Sequence, residues 1–293
     1  MRLLVTGASS FVGAHFCLSA KKRHRVWGGF FSNPLSLPGV TPIRIDLLSV
    51  RDQRKIRALE VDAVVHLATK IKATPKADET AAQRAYEINR KMMDAVLELQ
   101  KPVLYGSSTA VHWSADVPYV RSRQEDEDAL RRSGLPYAIL RPSAPYGPDL
   151  ISHRPRHKES FQTLVNVIRW SPVVPLVGSG DYMRQPVHVD DFSEVGLRLL
   201  ESGLSGQELD VVGCKAYSMR EIVSILSKKM HQRRRLVPIP KPIFIWLSRF
   251  RSDFDESLLE VIDEDEVFDA SIVKDLTGIL PRSFEDGVSD LLR

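Results

Sequence analysis

Short apolar runs and longer amphipathic stretches alternate along the first half of the chain. Residues 3–5 form an apolar run that stops at Thr6 and Gly7, and a helical pattern begins near Phe11. A second run at 25–30 follows that helix, and a third at 42–45 precedes a helical stretch over 50–59. The run 63–67 is apolar throughout, 80–99 carries long helical periodicity, and 102–105 is strand-like again. A charged helix is predicted over 119–132, closed by Ser133 and Gly134, before a buried strand at 137–140. Nearly continuous apolar strands separated by helices predict a parallel sheet covered on both faces. Ligands of such sheets sit at the carboxyl ends of the strands.

After Arg141 the pattern loosens, because Pro145, Pro148, Pro155, Pro172 and Pro175 interrupt it and loops lengthen. A strand is expected at 187–189 and a helix from Asp190 to Ser202, with Asp190 and Asp191 as its N-cap and first-turn acid. Helices expected at 218–230, 241–250 and 283–292 read as a smaller lobe. The apolar run from Phe244 to Leu247 fits a packed lobe helix better than a membrane contact. There is no internal repeat and no low-complexity segment.

Composition adds boundaries. At 293 residues, 43% hydrophobic and 27% charged, the chain suits a soluble globular protein with one large domain or a domain and a lobe. The net charge is only +4, with basic clusters at 21–25, 153–158 and 233–235 offset by an acidic stretch at 253–266. No aromatics interleave the basic clusters, so the composition argues against nucleic acid and for a small anionic partner. Cys17 and Cys214 read as reduced thiols. No apolar run has spanning length and no signal-peptide pattern precedes the first strand, so a cytoplasmic protein is expected. Neither metal-ligand spacing nor a hydrolase elbow is present.

The first turn carries the chemistry. Gly7, Ser10 and Gly13 occupy the glycine spacing of a loop that cradles a dinucleotide pyrophosphate with backbone N–H groups and a helix N-terminus. Gly7 allows the tight turn and Gly13 lets the helix approach the strand, while Ser10 replaces the middle glycine. Gly7, Ser9, Ser10, Phe11, Val12 and Gly13 are expected to line the cofactor. Phe31, Ser32 and Asn33, after the second strand, offer no carboxylate to hold the adenosine ribose diol and repel a 2′-phosphate. NADP(H) is therefore favoured over NAD(H), although no arginine adjoins Ser32 and Asn33 in the sequence.

Further motifs follow in order: His66 to Ala68 closing a strand, Asn89, Gly106 to Val111 with Ser107, Ser108 and Thr109, then Tyr119 with Arg123, Arg141 to Pro148, and Arg184 to Asp191. Together with the first loop and the run from Asp269 to Arg282, they resemble the extended short-chain dehydrogenase/reductase superfamily, in its NAD-dependent epimerase/dehydratase group. The resemblance spans essentially the whole chain. It implies an α/β fold class, a Rossmann-type doubly wound parallel sheet with a smaller C-terminal substrate-binding lobe. The NAD(P)-binding domain would be 1–148, regained at about 184–212, with 149–183 and 213–293 as the lobe.

The resemblance also assigns roles. In that family a hydroxyl residue, a tyrosine and a lysine act at the nicotinamide, and here Ser108, Tyr119 and Arg123 take those places as catalytic residues. A phenol must give up its proton near neutral pH to act as a base, and a fixed cation beside it favours that. Arginine for lysine is the main departure, since its planar fork differs from a compact ammonium. Asp46 and Leu47 would meet the adenine, and Leu67, Ala68, Thr69, Ser107 and Pro142 would line the dinucleotide beside Tyr119 and Arg123. Asn89 joins this cofactor set by supporting the sheet. Substrate would be met by Lys70, Ser108, Thr109, Tyr146 and Arg184, the arginine pairing with a diphosphate through charge-assisted bonds.

The implied activity is an NAD(P)-dependent oxidoreductase or epimerase acting on a nucleotide sugar, with no nucleic-acid or membrane partner and a homodimer as the candidate assembly. Thr109 and Ala110 follow Ser108 where family dehydratases place an Asp-Glu pair, which disfavours dehydration. Alternatives are a cofactor-binding but catalytically weak structural or regulatory subunit, or a reductase of a non-sugar ketone.

Overall fold

The computed structural model describes residues 1–70, 79–155, 159–248 and 262–293. In chain order the first part runs β1 (Arg2–Thr6), α1 (Phe11–Ala20), β2 (Arg25–Phe30), β3 (Thr41–Arg44), α2 (Val50–Arg57), β4 (Ala63–His66), α3 (Glu79–Leu97), β5 (Val103–Gly106), α4 (Pro118–Arg132) and β6 (Tyr137–Pro142). It continues through β7 (Pro145–Tyr146), α5 (Ser160–Trp170), β8 (Val173–Val177), β9 (Met183–Arg184), β10 (Val187–His188), α6 (Val189–Ser202) and β11 (Gln207–Val211). The remainder is β12 (Tyr217–Ser218), α7 (Met219–Lys229), β13 (Arg235–Ile239), α8 (Lys241–Ser248), α9 (Ser271–Thr277) and α10 (Phe284–Leu291).

Seven strands form one sheet in the order β11-β6-β5-β4-β1-β2-β3, with every neighbouring pair parallel. Successive side chains of β1 point to opposite faces, so Leu3 and Val5 join one buried layer with Phe16 and Phe192, while Leu4 joins the other with Ile56 and Met93. This is the doubly wound α/β architecture expected from the alternating pattern. The strand order reverses between β1 and β4, which opens a crevice at their carboxyl ends. A third buried cluster, including Tyr146, Phe161, Ile222 and Phe284, lies between α5, α7 and α10.

Local signals explain the boundaries near the site. Ser10 caps α1 by accepting from Gly13 N at 3.0 Å. Pro118 stands in the first turn of α4, where its missing N–H costs nothing. Differences from the sequence reading fall mostly after Arg141. β10 ends at His188, and His188 rather than Asp190 caps α6, accepting from Asp190 N at 3.2 Å. Asp190 and Asp191 lie in that helix's first turn, where Asp191 grips Arg282 at 2.8–3.1 Å. β7, the partner of the expected β10, and the strand pairs β9/β12 and β8/β13, with α5 and α9, lie where the pattern gave no such element. The expected helix over 241–250 is described to Ser248, and its last residues lie outside the described residues.

Candidate active site

The crevice begins with Gly7, which takes φ +70° directly after β1. A Cβ there would stand 2.5 Å from Ala68 N and 2.6 Å from Leu67 O, so the turn is pressed against the end of β4. Gly13 is constrained by contact alone: its Cβ would lie 2.2 Å from Gly7 O. Ser10 sits at φ −79°, so the middle position needs no glycine conformation. Phe11 is buried, Val12 half-buried, and the Ser9 carbonyl accepts from Asn33 Nδ2 at 3.4 Å and His153 Nε2 at 3.0 Å. The backbone at Arg154 also meets Asn33 Nδ2, at 3.3 Å, while 156–158 of that basic cluster lie outside the described residues.

Beyond the loop, the ends of β4 and β5 carry the remaining groups. Leu67 N donates to Thr6 O at 3.2 Å, and Ala68 N reaches the Thr6 hydroxyl at 3.4 Å. Asn89 spends both ends of its amide on Lys70, accepting from its N at 2.7 Å and donating to its O at 3.1 Å. It thereby holds the loop that carries Leu67, Ala68 and Thr69. Thr69 and Lys70 are themselves exposed.

Ser108 caps a 3₁₀ turn over Thr109–His112, its Oγ accepting from Ala110 N at 3.2 Å. The hydroxyl proton therefore remains available. Tyr119, half-buried in the first turn of α4, packs beside Ala110 and Val117. One helical turn on, Arg123 is 2% exposed, with its guanidinium carbon 5.5 Å from the Tyr119 ring centre. Arg123 Nη1 donates to Tyr105 Oη at 2.8 Å and Nη2 donates to Thr69 Oγ1. Tyr105 in turn donates to Asp126 at 3.1 Å, and Asp126 is paired with Arg90. The substituted cation is thus fixed by a buried chain of partners.

Two buried polar atoms, Arg123 Nε and Ser107 Oγ, find no partner among the described residues. A buried donor without a partner is costly. Both lie on the segments beside Ser108 and Tyr119, where a hydroxyl-rich group such as a nicotinamide ribose would satisfy them. Together with the close-packed Gly7–Gly13 turn, they make these residues a fit for a dinucleotide.

Other expected residues are placed differently. Thr109 is buried, its hydroxyl 3.5 Å from the Pro142 carbonyl and 3.4 Å from Glu266 Oε1. Tyr146 does not face the crevice: it is fully buried among Phe161, His188 and Phe284, and its hydroxyl donates to Ser283 O at 3.3 Å. Asp46 accepts from Leu48 N at 2.9 Å, and Leu47 is buried in the core. Phe31 and Ser32 are exposed at the end of β2. Arg184 is largely buried, donating through Nη1 to Met183 O at 2.8 Å and Glu264 O at 2.5 Å, and through Nη2 to Ile262 O. Its ion partner is Glu266 at 3.6 Å, whereas Asp181 pairs with Arg220.

Glu266 is the residue that sequence reasoning missed. It is 5% exposed and links Thr109, Trp113 Nε1 at 3.3 Å and Arg184. In the sequence it was one charge in an acidic run, with nothing to mark it as the one that turns inward.

A seven-stranded parallel sheet whose order reverses beside a glycine turn, with Ser108 after β5 and Tyr119 and Arg123 on α4, defines a doubly wound, Rossmann-type α/β protein. Residues 3–212 match the model of the NAD dependent epimerase/dehydratase family, and the chain belongs to that family. It is 26% identical to a dTDP-glucose 4,6-dehydratase of Streptomyces antibioticus, covering 90% of this chain and 92% of that one. A dTDP-4-dehydro-6-deoxy-D-allose reductase of a Streptomyces species is 25% identical, over 80% and 82% of the two chains. The fold also matches UDP-glucuronic acid 4-epimerase of Bacillus cereus, in complex with UDP-glucuronic acid and NAD, at a TM-score of 0.78 and 21% identity over 99% and 98%. Among the described residues no helix is long and apolar enough to cross a membrane.

Proposed function

We propose that this protein is an NAD(P)-dependent oxidoreductase or epimerase of a nucleotide sugar, working by ketone reduction, alcohol oxidation, or epimerisation through a transient ketone. The observation that carries the reading is the buried Arg123 with an unpartnered Nε, one turn from Tyr119 and hydrogen-bonded to Tyr105 of β5. Gly7, Ser9, Ser10, Phe11, Val12 and Gly13 would hold the pyrophosphate region, Asp46 the adenine, and Leu67, Ala68, Thr69, Ser107, Pro142 and Arg123 the nicotinamide half. When bound, the cofactor supplies hydride transfer. Ser108 Oγ, already accepting from Ala110 N, donates its hydrogen to the substrate oxygen. Tyr119 Oη takes the proton of a substrate hydroxyl during oxidation and returns it during reduction. Arg123 supplies a fixed positive charge beside the Tyr119 ring.

Arg184 would meet the substrate diphosphate, and residues 149–183 and 213–293 would form the substrate lobe. Similarity to proteins whose names include dTDP-sugar dehydratase and reductase, and to a structure holding UDP-glucuronic acid, supports a nucleotide-sugar substrate. Elimination of water is disfavoured by Thr109 and Ala110 in the place of an acidic pair. The cofactor is NADP(H) in preference to NAD(H), on the absence of a carboxylate at Phe31–Asn33.

Turnover of UDP- and dTDP-sugars by the wild type and Tyr119→Phe tests the assignment. Removing the hydroxyl should lower kcat by about 100-fold or more, the usual worth of a positioned acid or base. Unchanged turnover would overturn it. A second reading has one observation in its favour: Arg123 spends both Nη atoms on Tyr105 and Thr69. Tight cofactor binding without hydride exchange on any carbonyl would identify a structural or regulatory subunit instead.

A further inference from the structure

Beside the end of β3 lies a cavity of about 410 Å³, lined by Phe31, Arg44, Asp46, Arg51, Asp52 and Lys55 among others. Its carboxylates are already engaged. Asp52 accepts from Lys55 Nζ at 2.6 Å and from Asp46 N at 3.0 Å, and Asp46 accepts from Leu48 N at 2.9 Å. Arg44 and Arg51 form no ion pair among the described residues, and both are exposed. The surplus in this cavity is therefore positive, and it rests on two guanidinium groups from different elements.

Arg44 is placed by the sheet. It stands opposite Phe30 in the β2–β3 register, and its guanidinium carbon lies 5.8 Å from the ring centre of Phe31. Phe31 is 54% exposed, so a large aromatic surface and a cation sit together at the rim. This is the end of β2, where the adenosine ribose of a dinucleotide lies in a sheet of this topology. No arginine adjoins Ser32 and Asn33 in sequence, but the β2–β3 pairing brings Arg44, eleven residues beyond Asn33, beside Phe30 and Phe31 at the end of β2. A purely solvating role does not account for a strand arginine placed against a ring.

We propose that Arg44, assisted by Arg51, binds the 2′-phosphate of NADP(H) and sets the cofactor preference. The assignment rests on the NADP(H) reading above. A 2′-phosphate is a compact dianion, and guanidinium groups match its oxygens through paired charge-assisted bonds. Arg44 makes the direct contact from the strand, and Arg51 adds charge from the first turns of α2.

Titration calorimetry with NADPH, NADH and adenosine 2′-monophosphate, on the full chain, tests it without reference to turnover. The wild type should bind NADPH more tightly than NADH. Arg44→Ala should weaken NADPH and adenosine 2′-monophosphate by about tenfold or more, the size of one charge-assisted contact, and leave NADH nearly unchanged. Arg51→Ala should show the same selectivity with a smaller loss, and Arg44→Lys should retain part of the affinity. Preference for NADH in the wild type would overturn the NADP(H) reading and this assignment with it. Preference for NADPH that survives both alanine variants would keep that reading and overturn the assignment alone. Equal losses of NADPH and NADH in Arg44→Ala would also overturn it, since they mark a structural role.

Discussion

His66 ends β4 with its ring stacked on Tyr105, centres 5.7 Å apart, and Nδ1 2.7 Å from the Thr6 hydroxyl. Burial, reinforced by the charge of Arg123, pushes its pKa down to about 3 from an ordinary 6.5. Folding therefore holds the ring neutral across a range in which the unfolded chain takes up a proton. The stability this contributes is fully present above pH 6.5 and is lost as pH falls toward 3. Between pH 6 and pH 4 the urea midpoint should fall, with His66 supplying a slope of up to about 1.4 kcal/mol per pH unit. His66→Gln should flatten that slope, and an identical slope in the variant would refute the role. The same scale shows why Ser10 was misleading as sequence. It stood as a missing glycine, whereas its φ of −79° needs none and its hydroxyl caps α1. A glycine-spacing rule registers a residue's size, but here the backbone angle and the cap bond decide.

Among the elements, α4 does the most to define the site. Pro118 starts it, Tyr119 and Arg123 share one face, and Asp126 extends that face inward to Tyr105 and Arg90. Periodicity made this helix legible because its buried and exposed positions alternate on the helical repeat. What it concealed was the ionic interior, since Arg123, Asp126 and Glu127 are charged residues with almost no exposure. In sequence they resemble a solvated face. Beyond Arg141, short strands such as β7, β9 and β12 were illegible for another reason: two residues are too few to establish a period. The buried chain gives a clear expectation. Asp126→Ala removes the carboxylate that accepts from buried Tyr105, while Arg90 keeps Glu125 and Asp94, so urea unfolding should show a loss of about 1–3 kcal/mol, the cost of leaving the buried phenol unsatisfied. Glu125→Ala, at the partly exposed edge of the same cluster, should cost no more than about 1 kcal/mol. Equal small losses in both would mean that Arg123 is held without this chain.

For the whole molecule, Arg184 joins the parts that no local pattern connects. It lies in β9, paired with β12, and its guanidinium is enclosed by the carbonyls of Met183, Ile262 and Glu264. The 262–268 segment is tied to the same edge by Glu266 N to Met183 O at 3.0 Å and Phe268 N to Gln185 Oε1 at 2.7 Å. Glu266 then reaches Thr109 and Trp113, next to Ser108. Arg184 was identified in the sequence by its motif, but its partners lie about eighty residues away in an acidic run, and only folding brings them together. If Arg184 also receives a substrate diphosphate, phosphate oxygens must replace some of those carbonyls, a favourable exchange because charge-assisted bonds outweigh neutral ones. Arg184→Ala should then raise KM for a nucleotide sugar by about tenfold or more, with cofactor affinity little changed. Arg184→Lys should recover only part of that loss, since an ammonium lacks the planar fork. Parallel loss of cofactor and substrate binding would show that the side chain serves only to fasten the 262–268 segment to the sheet. Unchanged affinity for both would remove the diphosphate contact and favour a non-sugar ketone as the substrate.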